Sequence, residues 1–315
     1  FDEVHNRVWF TGKFHKAVYH NTGGITGFNH DAFIGAFNGT TGASVSIGGL
    51  SSWRAGKCTI NGIMDGNGVS IDATSGIPYF AGTYKCSDIS NPFQLVSDNM
   101  TSDNLFGNAD FHRAYFVKVD IDNANGWCTY GQSHGLSPLN VYGIGIGVNN
   151  QQVNFCGDTD SKRLAFYGSG GTPLQILQAP MGASAMNVYT GAWDLNGQVL
   201  PTHLNMAYGL SNISSKSMTT DEQGHSFVVG EYHKDLTVLN GVPSSGTLMS
   251  SGIGSNAQYI NGFVMRGMLS NGELRSAPAE QPEEVRSNLG NFEIYPNPFE
   301  SEITIELNGG KNRAF

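Results

Sequence analysis

Short stretches in which apolar side chains alternate with polar or small ones recur along the chain from its first residues to about Leu274, each closed by Gly, Asn or Asp. A two-residue period predicts half-buried β-strands, and the aromatic and β-branched residues in the same stretches agree. Four stretches share one pattern: VWFTGKF from Val8, PYFAGTY from Pro78, VNFCGDT from Val153 and SFVVGEY from Ser226. Their glycines, Gly12, Gly82, Gly157 and Gly230, lie 70, 75 and 73 residues apart. A second stretch follows each one: AFIGAFNGTTG, YFVKVDIDNANG, YTGAWDLNG and FVMRGMLSNG. The leading aromatics Phe33, Tyr115, Tyr189 and Phe263 step by 82, 74 and 74 residues. Two anchors holding one period define an internal repeat. FHK at Phe14 and YHK at Tyr232 echo each other in the first and last copies.

An Asx residue precedes the first anchor in every copy, at Asp2, Asp72, Asn149 and Asp221. Such side chains bond their own backbone and tolerate turn geometry. The predicted unit is strand, Asx-turn, strand, long connection, strand, Gly-turn, strand: a four-stranded antiparallel sheet. One small sheet leaves both faces and both edges in water. Radial stacking buries the faces between neighbours, which is the β-propeller solution, and each buried anchor aromatic contributes about 1.5–3 kcal/mol. The fold class expected is therefore all-β, with four-stranded blades.

Composition narrows the function classes. Glycine is abundant (42 residues), as many tight turns require, and charged residues make up only 14%. With 39% hydrophobic residues the chain can bury a sizeable core. A net charge of −9, with its 17 Lys and Arg scattered, argues against a nucleic-acid partner. No apolar run approaches the roughly 20 residues of a membrane-spanning helix. FDEVHNRVWF carries neither an initiator Met nor a signal-peptide pattern, so it reads as a cut end. Four cysteines, Cys58, Cys86, Cys128 and Cys156, lack metal-ligand spacing; both disulfides and buried thiols remain open.

DAFIGAFNGTTG and VSIDATSGIPYFAGTY resemble the bacterial β-propeller repeats whose units read approximately D-G-N-x-Y-V-T-G and then D-A-F-V-x-K-Y-D. The resemblance covers most of residues 1–272, and the third copy departs from it with NNQQVNFCG. It implies an extracellular propeller without a catalytic signature. Phe1 stands where Ile71 does relative to the anchor glycine, so the first copy lacks its opening strand. Either a later segment supplies that strand and four blades close, or earlier blades precede Phe1; the second is the expectation.

The end of the chain changes character. The linker at 275–290 is rich in Pro, Glu and Ser, and little in it could enter a core. Then come FEIYPNPF and ESEITIEL. Pro296 and Pro298 fix φ and remove donors, forcing a turn, and Ile303, Ile305 and Leu307 alternate as a new strand. This segment, at 291–315, resembles the opening of the Ig-like β-sandwich sorting domain read by the type IX secretion system of Bacteroidota. Phe292, Ile294, Tyr295, Pro296, Asn297, Pro298, Phe299, Ile303, Ile305 and Leu307 carry the match, which is partial in length. The resemblance implies recognition by the outer-membrane secretion machinery, and a secreted or cell-surface location after periplasmic transit.

Two catalytic motifs are absent from the sequence: there is no HExxH and no GxxxxGK[ST]. GIGIG at Gly143 lacks a third glycine at the spacing of a dinucleotide loop, and a following helix, and reads as a tight inner strand. His15 and His233 occupy equivalent repeat positions, which suits a structural role, and carboxylates such as Glu3 and Glu231 show no pairing in sequence. No cofactor is expected. DIDNANG gathers Asp120, Asp122 and Asn125, oxygen donors suited to Ca²⁺, although the sister copies have a shorter Gly-turn there and a solvated hairpin is the first expectation. Long connections at Lys85–Arg113 and Asp158–Ala185 are where recognition on a rigid scaffold would sit. The expected role is binding or adhesion to a glycan, a polymer or another protein. A secreted hydrolase and a structural surface-layer component are the rival classes.

Overall fold

A computed structural model describes residues 1–20, 23–45, 54–57, 63–85, 94–95, 111–120, 125–134, 139–149, 151–167, 173–178, 186–200, 203–209, 212–221, 224–233, 235–239, 247–249 and 261–266. Among these the chain is all-β, without an α-helix, and its strands pair almost entirely antiparallel. The linker and the segment from 291 onward lie outside the described residues.

The strands fall into four successive units. The first holds β1 (Arg7–His20), β2 (Gly23–Asn38) and β3 (Arg54–Lys57). The second runs through β4 (Ile63–Ile71), β5 (Pro78–Lys85), β6 (Gln94–Leu95), β7 (Arg113–Asp120) and β8 (Asn125–Ser133). The third comprises β9 (Val141–Val148), β10 (Gln152–Thr159), β11 (Arg163–Tyr167), β12 (Pro173–Gln178), β13 (Asn187–Asp194) and β14 (Asn205–Tyr208). The fourth comprises β15 (Ile213–Thr220), β16 (Ser226–Tyr232), β17 (Asp235–Leu239), β18 (Thr247–Met249) and β19 (Asn261–Arg266).

The two sequence anchors meet in every unit. Gly12 pairs with Phe33, Gly82 with Tyr115, Gly157 with Tyr189, and Gly230 with Phe263. Each aromatic ring lies over its glycine: a Cβ would collide with it at Gly82, Gly157 and Gly230 and press tightly on it at Gly12. On the opposite edge, opening strands β4, β9 and β15 set Gly66, Gly143 and Ser215 against Gly82, Gly157 and Gly230. Each opening strand then carries one extra residue, Asn67, Ile144 or Lys216, as a bulge. The first unit has no described opening strand: among the described residues β1 pairs with β2 only.

The Asx turns form as their chemistry predicts. Asp2 Oδ1 accepts from His5 N, Asp72 Oδ1 from Thr74 N, Asn149 Oδ1 from Gln151 N and Gln152 N, and Asp221 Oδ1 from His225 N, at 2.7–3.0 Å. His5 and His225 also reach the second oxygens of Asp2 and Asp221, at 3.0 and 2.7 Å.

The four-stranded limit of the unit needs correction. β6 lies in the inner connection of the second unit but pairs with β3 of the first. β11, from the third unit, pairs with β8 of the second and brings β12 with it. β17, from the fourth, pairs with β14 of the third and brings β18. Each inner connection thus crosses to extend the sheet of the unit before it, blunting an edge that would otherwise stay open. The pairing paths end without closing into a ring or barrel among the described residues.

Apolar clusters fill the joints between consecutive units. Trp9 and Ile34 pack with Phe80 and Tyr115; Phe116 packs with Phe155 and Trp193; Val188 and Ala207 pack with Val228 and Met265. Phe155 lies 4.6 Å from Phe116 and 5.1 Å from Trp193 between ring centroids. Cys156, in the third joint, is a buried free thiol. Burial, reinforced by the Asp158 charge, pushes its pKa up to about 12. Cys58 and Cys86 lie outside the described residues, as does the side chain of Cys128.

Candidate functional site

All Asx turns sit at one end of the units, and the inner connections leave from the other. The first residues after β10, and those just before β7 and β9, therefore converge at the connection end of the second joint. Asn140 N donates to Asp160 Oδ1 at 2.6 Å, and Asn140 Nδ2 donates to Asp160 Oδ2 at 2.9 Å. Asn140 Oδ1 accepts from His112 N at 3.2 Å and lies 3.1 Å from His112 Nδ1. Thr159 Oγ1 donates to the Asn140 carbonyl at 2.9 Å. The His112 ring rests on Tyr142, with centroids 5.0 Å apart. Burial raises the Tyr142 phenol, and the Asp160 and Asp158 charges raise it further.

Part of this arrangement is scaffold. Asn212 repeats it at the third joint, where Asn212 Oδ1 accepts from Met186 N at 3.4 Å and its carbonyl from His233 N at 3.2 Å. Asn140 and Asn212 each stand three residues before the small residue facing an anchor glycine, Gly143 or Ser215. What differs is the decoration: His112, Asp160 and Tyr142 stand where the third joint has Met186, His233 and Ser214. His112, Asn140, Tyr142 and Asp160 are all partly exposed.

The sequence-derived candidates are distributed differently. Asp120 and Asn125 face each other in register at the closed end of the β7–β8 hairpin, the same end as the Asx turns. Asp122 lies outside the described residues, as do Phe292, Ile294, Tyr295, Pro296, Asn297, Pro298, Phe299, Ile303, Ile305 and Leu307. Among the described residues no group of three or more His, Cys, Asp or Glu gathers as metal ligands, and no helix is long and apolar enough to cross a membrane. His15 lies opposite His30 in β2, Gly143 falls inside strand β9 as expected, and Glu231 pairs with Lys216 at 2.8 Å. The connection expected as a free loop at Asp158–Ala185 carries β11 and β12 instead, and the one at Lys85–Arg113 carries β6. No protein-family model matches the chain, and no curated protein matches it.

Proposed function

We propose that this chain is a cargo of the type IX secretion system, a secreted or outer-membrane cell-surface β-propeller whose role is to bind an extracellular glycan, polymer or protein. The observation that carries the reading is the sequence Tyr295-Pro296-Asn297-Pro298 followed by the alternation of Ile303, Ile305 and Leu307, set off from the repeats by the acidic linker. Few contacts cross a linker of that composition, so the tail is separable from the repeat array. The recurring register of the units supports a blade array, and the half-exposed His112, Tyr142, Asn140 and Asp160 cluster supports binding at the connection end.

The test uses the natural full-length gene in a type IX-competent host. Deleting everything after Asn288 should leave folded repeats in the periplasm, and the complete tail should carry an unrelated passenger to the surface. Surface display of the tailless protein would overturn the export reading. For binding, Tyr142→Ala and Asp160→Ala should weaken retention on immobilised polysaccharide while the array stays folded, the Asp160 variant with some loss of unfolding temperature because Asn140 N loses its acceptor.

A further inference from the structure

His15 and His30 face each other in register across β1 and β2. Their ring centroids lie 5.3 Å apart with the planes inclined at 42°, and both side chains are exposed. Register puts them on one side of the sheet with Trp9, Lys13, Ala32, Ile34 and Ala36. Trp9, Ala32, Ile34 and Ala36 are buried in the first joint, so the pair stands at the connection end, where that face meets water. Just beyond, Lys16 takes a φ of +70° and the register shifts, so the two histidines close the regular part of the ladder.

The repeat itself does not require two imidazoles here. Three residues after the anchor glycine and three before the anchor aromatic, the other copies hold Lys85 and His112, Asp160 and Met186, and His233 and Ile260. Neutral imidazole is the commonest protein ligand for transition metals, bound through one ring nitrogen at about 2.0–2.1 Å. Such an ion lies about 3 Å from each ring centre, so centres 5.3 Å apart admit one ion between them at a near-tetrahedral angle once the exposed rings turn a nitrogen toward it. Lys13, on the same side of β1, would repel a cation, but the Asp65 carboxylate stands 3.4 Å from its ammonium and offsets that charge.

We propose that His15 and His30 form a two-histidine site for a divalent first-row transition ion, Cu²⁺ in preference to Zn²⁺, whose remaining positions stay open to water or an outside donor. Imidazole selects this class over Ca²⁺ and Mg²⁺, which take oxygen ligands, and the Irving–Williams order sets Cu²⁺ above Zn²⁺. One ion held by both rings also ties β1 to β2 at the point where their pairing turns irregular. The site is separate from the His112, Asn140 and Asp160 cluster and independent of the export reading, because it depends only on the geometry of this pair.

The test is calorimetric titration of the whole chain with Cu²⁺ and with Zn²⁺, beside His15→Ala, His30→Ala and His233→Ala. Both members of the pair are exposed, so their variants should unfold at the parent temperature when no metal is present. One equivalent of ion should bind the parent chain, Cu²⁺ more tightly than Zn²⁺, and excess Mg²⁺ should not displace it. Either His15→Ala or His30→Ala should weaken that event about 100-fold, because a single imidazole loses the effective concentration of the second. His233→Ala should leave it unchanged. Saturating Zn²⁺ should raise the unfolding temperature of the parent chain but not of the His15 and His30 variants. Full-strength binding by either of those variants, an equal loss in His233→Ala, or no one-equivalent event in the parent would overturn the proposal.

Discussion

Gly157 lies directly opposite Tyr189 across β10 and β13, and the Tyr189 hydroxyl reaches past it to donate to the Tyr142 carbonyl on β9 at 2.8 Å. One side chain thus clamps three strands, and it can do so only because position 157 has no Cβ. Tyr115 makes the same reach over Gly82 to the Asp65 carbonyl, at 3.1 Å. The glycine is demanded by space, since Gly157 is not among the positive-φ glycines.

Gly157→Ala should therefore lower the unfolding free energy by about 1–3 kcal/mol through overpacking. Tyr189→Phe, which removes only the hydroxyl, should cost about 0.5–1.5 kcal/mol. Because the two residues share one contact, the double variant should lose less than the sum. Urea unfolding of all four proteins reads the coupling directly. Strict additivity would mean that the ring does not sit over the glycine.

The equivalence of Phe37 and Trp193 gives a second prediction. Both stand four residues beyond their anchor aromatic, but Trp193 is fully buried in the second joint while Phe37 is only partly covered and stacks on Phe10 at 5.0 Å. Trp193→Ala should cost about 3–5 kcal/mol. Phe37→Ala should cost less than about 2 kcal/mol, in proportion to the smaller area it withdraws from water. Equal losses in denaturant unfolding would show that the first unit is packed like the third.

How far the fold could be read in advance depended on whether each constraint was local. Gly12 and Phe33, or Gly230 and Phe263, were legible as anchors because a glycine under an aromatic ring is demanded within one pair of strands. The Asx turns at Asp2, Asp72, Asn149 and Asp221 were legible for the same reason, since each carboxylate or amide serves backbone within a few residues. The crossing of β11 to β8 was not. Alternation tells a strand which face to bury, and nothing in RLAFY specifies which edge it joins. The His112, Asn140 and Asp160 cluster also escaped sequence reasoning, because its members meet across separations of 28 and 20 residues. One signal was available: Asn140 and Asn212 recur at the same distance from Gly143 and Ser215. The expectation of a separable tail comes from composition and motif alone, and its residues lie outside those described.

Asp158 offers the sharpest electrostatic test. It follows the anchor Gly157 and crosses the third joint, where its carboxylate accepts from Ser215 N at 2.8 Å, Ser215 Oγ at 2.6 Å and Ser214 Oγ at 3.1 Å. Burial nevertheless raises its pKa, outweighing the Ser215 and Ser214 hydrogen bonds and the nearby Lys216 charge that lower it. A carboxyl whose pKa is higher folded than unfolded binds more protons in the native state. Its contribution to stability is therefore complete below the ordinary unfolded value of about 4 and is lost as pH rises through the raised folded value. Above that window the ionised group persists at a cost. Asp158→Asn keeps an acceptor for Ser215 N and removes the buried charge, so it should be neutral to mildly stabilising at pH 7, with the loss across the acid window flattened. Asp158→Ala leaves the Ser215 amide without its acceptor and should cost about 1–3 kcal/mol at every pH. Thermal unfolding of the three proteins from pH 3.5 to 8 separates these cases. A wild type that gains stability across the window relative to Asp158→Asn would reverse the sign and place the carboxylate among the net stabilising charges.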